Sequence, residues 1–61
     1  MNTVNDFINF LRIFNAMRNG SVEERKAVQT NEADVKFMAK LVEDGVFDKW
    51  LELAEELIGR F

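Results

Sequence analysis

The chain has 61 residues, no cysteine, no histidine and a formal net charge of −3 at pH 7. That size allows one domain at most, and the composition excludes disulfides, thiolate sites and the commonest transition-metal ligand. A domain this short buries only about 60% of the surface its unfolded chain exposes. With disulfides gone and metal ligands scarce, oligomerisation is the expected source of extra stability.

The first predicted element is a helix that opens at Thr3, with Asp6 three residues on in a variant of the capping box. It closes at Asn19-Gly20, where glycine accommodates a left-handed helix end. Val4, Phe7, Ile8, Phe10, Leu11, Ile13, Phe14 and Met17 recur along it at helical spacing. At ~100° per residue these side chains cover an arc of roughly 220°, about twice the stripe that one-sided packing requires. Burying one Phe contributes about 1.5–3 kcal/mol, so three half-wet rings would forfeit much of a small domain's stability. The helix therefore wants two neighbours. The chain is expected to supply one, and a second copy or a foreign protein the other.

Ser21 with Glu24 forms a capping box, so a second helix should begin at once near Val22. Its apolar residues Val22, Ala27 and Val28 share no face, and Val22 to Thr30 reads as a short, mostly solvated connector. Asn31 with Asp34 marks a third start, giving a helix from Glu32 to Asp44. Val35, Phe37, Met38, Ala39, Leu41 and Val42 form its apolar side, and Glu32, Lys36, Lys40 and Glu43 the other. Glu32 and Lys36 stand i,i+4 in the favourable order.

Asp44-Gly45 breaks the chain again, and a last helix runs from Val46 or Asp48 to Ile58, with Gly59 marking its end. Phe47, Trp50, Ala54, Leu57 and Phe61 are spaced 3-4-3-4, the seam of knobs-into-holes packing, widened by Leu51, Leu53 and Ile58. Asp48, Lys49, Glu52, Glu55, Glu56 and Arg60 occupy the outer face. The pattern predicts an all-α fold over residues 1–61: a small helical bundle of three main helices plus a short connecting helix, dimeric.

The inventory for chemistry is sparse. One Ser and two Thr are present without His or Tyr, and Ser21 and Thr3 are read as caps. Glu52, Glu55 and Glu56 lack the His of a helical di-metal element and lie opposite the seam. Asp44 and Asp48 do not fit a calcium-loop register, and the three glycines are isolated, so no phosphate loop exists. No catalytic residue, cofactor, metal or small-molecule substrate is expected, and the chain is not expected to be an enzyme.

Charge narrows the partners. Residues 1–30 carry a net +1, whereas residues 31–61 hold eight acids against four bases. Acids on the third helix repel phosphate, which disfavours nucleic acid. Membrane docking is disfavoured because the polar face of the first helix is mainly Asn, with only Arg12 and Arg18. Met1 to Gly20 lacks the basic start of a signal peptide, so a cytoplasmic location is expected. The expected function is a non-enzymatic interaction module: a homodimer that binds and modulates another protein as an inhibitor or adaptor, of the kind phages encode. The alternatives are an assembly protein whose role is the oligomer, or an acidic DNA mimic. Phe7, Phe10, Phe14, Met17, Phe47, Trp50 and Leu57 are the expected partner or dimer interface.

Overall fold

A computed structural model describes residues 3–60. It comprises four α-helices, α1 (Thr3–Asn19), α2 (Val22–Thr30), α3 (Glu32–Glu43) and α4 (Phe47–Leu57), and no strand among the described residues. The radius of gyration is 11.1 Å, close to the ~10–11 Å of a compact folded chain of this length.

Cap chemistry sets most of the breaks. The Ser21 hydroxyl accepts the Glu24 N–H at 3.2 Å, and the Glu24 carboxylate accepts the Ser21 N–H at 3.4 Å. This is the capping box that the spacing predicts, and α2 begins one residue later. Ser21→Ala is expected to lower stability by about 1 kcal/mol, read as a lower urea midpoint; an unchanged midpoint would show that this cap carries no weight. The Asn31 side chain accepts the Asp34 N–H at 3.0 Å and starts α3 in the same way. At the end of α3 the Gly45 N–H donates to Val42 and the Val46 N–H to Leu41, each at 3.1 Å. That is a Schellman motif, and it requires the positive φ of 76° seen at Gly45.

Two boundaries differ from the sequence reading. Thr3 is already helical, so it is not the N-cap of α1. Gly20 does not adopt the left-handed conformation, which among the described glycines belongs to Gly45 and Gly59. Its requirement is space: an ideal Cβ there would lie 2.3 Å from the carbonyl oxygen of Ala16.

The core lies between α1, α3 and α4. Phe10, Phe14, Leu41 and Ala54 form its buried centre, with Phe10 and Leu41 each 1% exposed and Ala54 fully covered. The Phe10 ring stacks on Phe7 and Phe14 and meets Phe47 and Trp50 edge-on, all at centroid distances of 5.9–6.4 Å. These are favoured aromatic geometries, each adding about 0.5–1.5 kcal/mol beyond burial. α1 and α4 run in the same sense, because Phe7 meets Trp50 near their starts and Arg18 Nε donates to the Arg60 carbonyl near their ends.

α2 lies along a further side of α1. Arg12, Asn15 and Ala16 face Glu24, Ala27 and Val28 of α2 across a shallow cleft of about 360 Å³. The Gln29 amide donates to the Met17 sulfur at 3.6 Å. α2 therefore neighbours α1 on its Arg12–Ala16 side, while Val4 and Ile8, at the edge of the apolar arc, stay exposed. α2 itself buries no residue, as its scattered apolar positions predict.

The seam of α4 is shifted from the predicted one. Leu57 and Ile58 lie about 60° and 40° to either side of Ala54. The core takes Ile58 and leaves Leu57 67% exposed. Phe61, the last position of the predicted seam, lies outside the described residues.

Candidate interaction surface

The seven residues expected at an interface divide into three groups. Phe10 and Phe14 are buried within the chain itself. Phe7, Phe47 and Trp50 are half-buried and pack against that centre, and half-buried Met17 shares an apolar cavity of about 180 Å³ with Ile13, Met38 and Leu51. Leu57 alone of the seven is classed as exposed. The first six are therefore held by intramolecular packing, and an outside protein meets at most the outer edges of Phe7, Met17, Phe47 and Trp50.

A different set of side chains faces outward. Val4 and Ile8 on α1 are 67% and 57% exposed, and Leu53 and Leu57 on α4 are 38% and 67% exposed. Val4, Phe7, Ile8 and Leu11 are spaced as one helical stripe, as are Trp50, Leu53 and Leu57. The Phe7 and Trp50 rings, one from each stripe, meet edge-on at 5.5 Å and set the two stripes side by side. The four exposed aliphatic side chains present roughly 400 Å² of apolar surface, the size of the largest and often functional patch on a typical monomer. In the sequence Leu53 stands only in a widened seam, and Val4 and Ile8 only in the broad arc of α1. The i,i+4 spacing of Val4 with Ile8 and of Leu53 with Leu57 was the available signal.

Charges border this face. Arg12, one turn beyond Ile8, is drawn away to Asp34 at 2.6 Å and is braced by the Asn9 side-chain oxygen at 2.9 and 3.0 Å. Asp34 is buried while the Arg12 side chain is half exposed, so the pair is asymmetric: losing Arg12 strands a buried carboxylate, and losing Asp34 merely frees a wet guanidinium. On α4, exposed Lys49 and Glu56 flank the apolar stripe and take part in none of the ion pairs of the described residues. Those pairs include Glu32–Lys36 at 2.9 Å, which the i,i+4 spacing predicts and whose exposure makes it worth little.

Elsewhere, Asp6 and Asp44 line a cavity of about 190 Å³ with Thr3, Leu41, Val46 and Trp50. Asp6 Oδ2 is buried there with no hydrogen-bond partner. Two carboxylates do not complete a metal site, and among the described residues no group of three or more acids is placed to hold a metal ion. No helix among those residues is long and apolar enough to cross a membrane. Compared with known proteins, the chain matches no protein-family model, no curated protein and no solved structure.

Proposed function

We propose that this chain is a non-enzymatic protein–protein interaction module that works through the apolar face shared by α1 and α4. The observation that carries the reading is the exposure of Ile8, Leu53 and Leu57 on the two helices whose Phe7 and Trp50 rings meet. The core closes without these side chains, which leaves them available to a partner. The largest apolar patch on a monomer is about this size and is often functional. Modulation of a bound protein by occupying one of its surfaces follows as the mode of action, since the chain brings few groups able to transform a substrate.

A photoreactive residue placed at Leu57 tests this in cells that carry the protein. It should give discrete cross-links to protein, whether to another copy or to a different chain. The same residue placed at Lys36, on the polar side of α3, should give none above background. Equal or absent cross-linking from the two positions would overturn the reading.

A further inference from the structure

The order of charges along α4 identifies what covers this face. We propose that the occupant is a second copy of the chain, with α4 running antiparallel to the partner's α4 about a twofold axis near Glu52. The inference rests on the reading of this face as a contact surface.

Lys49, Leu53 and Glu56 are spaced four and three residues apart, and Trp50, Leu53 and Leu57 three and four. All five therefore lie on one side of the helix. An antiparallel copy sets Lys49 against the partner's Glu56 and Trp50 against the partner's Leu53, and the twofold axis repeats each contact. A parallel, in-register copy would instead place the two Lys49–Glu56 edges on opposite sides of the seam, where neither charge gains a partner. Charge thus selects the antiparallel arrangement.

A second observation points the same way. Lys49 stands in the first turn of α4 and Glu56 in the last, with no basic residue in that last turn. The helix macrodipole favours the opposite order. Within one copy this placement is unfavourable, and neither charge belongs to an ion pair among the described residues. Across the proposed interface each gains one.

The available area sets the strength. Leu53 and Leu57 of the two copies bring roughly 400 Å² of apolar surface to this contact, and the stems of Lys49 and Glu56 add to it, below the ~1,000 Å² at which specific stable interfaces begin. The dimer is accordingly reversible, dissociating in the micromolar range or above, and each copy keeps its own closed core.

Sedimentation velocity of the full chain from about 1 µM to 1 mM tests the proposal. The expected result is a monomer–dimer equilibrium that Lys49→Glu and Glu56→Lys each weaken by about tenfold, because each creates two like-charge oppositions. The double variant Lys49→Glu/Glu56→Lys should return to wild-type affinity, and the two single variants mixed should associate with each other more tightly than either does with itself. Both substitutions put charges where the macrodipole prefers them, so weaker association would not arise from a damaged helix. A monomer at every concentration, single variants that dimerise like wild type, or a double variant that stays weak would each overturn the second copy as occupant. Cross-links from Leu57 to a different protein would then leave the interaction module standing, whereas their absence would remove both.

Discussion

Phe10→Ala is expected to lower stability by about 3–5 kcal/mol, the range for truncating a buried aromatic ring. A chain of this length has about 3–9 kcal/mol in total, so the variant should be largely unfolded at room temperature. Phe10 is 1% exposed and its ring touches four others, Phe7, Phe14, Phe47 and Trp50. Removing it opens a void bordered by helices α1 and α4 and takes away four edge or stacking contacts at once. Ile8→Ala, one turn portion away on the same helix but 57% exposed, should stay within about 0.5 kcal/mol. Urea titrations followed by far-ultraviolet circular dichroism, run at low micromolar concentration, compare the two. Were Phe10 an interface residue, as its spacing alone suggests, its truncation would change association and spare the monomer. Equal midpoints for the two variants would therefore place the Phe10 ring outside the core.

The contrast between Phe10 and Ile8 also shows what could be read from the sequence. Helix starts are local events, and the Ser21–Glu24 and Asn31–Asp34 spacings announce them because donor and acceptor lie within one turn. The interior face of an amphipathic helix is not local. On α1 the apolar arc is so wide that periodicity cannot say which part of it faces inward. The structure buries Phe10, Ile13 and Phe14 and leaves Val4 and Ile8 outside, a choice made by where α2 and α4 settle. The same ambiguity exchanged Leu57 for Ile58 in the seam of α4, since adjacent residues flank the same core direction. Arg12 and Asp34 stand 22 positions apart, and no local pattern links them. The candidate face was legible only as a surplus of apolar residues; its location, and the Lys49 and Glu56 that border it, needed the packing.

Gly20→Ala is expected to cost about 3 kcal/mol, the upper end of the range for overpacking, although Gly20 has no positive φ. The added Cβ would lie 2.3 Å from the Ala16 carbonyl oxygen and 3.1 Å from Glu24 Cβ. That carbonyl is not free to yield, because it accepts the Gly20 N–H at 2.9 Å and closes α1. Relief requires the turn to open, which displaces α2 and the capping box beginning at the next residue. Gly45 is the opposite case: its φ is 76°, but a Cβ there would meet nothing within 4 Å. Gly45→Ala should therefore lose only the ~1–2 kcal/mol of a left-handed residue, and Gly45→Asn less, because asparagine tolerates that conformation. Gly20→Asn should be no better than Gly20→Ala, since both carry the offending Cβ. Urea midpoints of the four variants separate steric from conformational demand. A Gly20→Ala midpoint above that of Gly45→Ala would mean that the α1–α2 turn relaxes freely, and α2 would then not be a fixed second neighbour for α1.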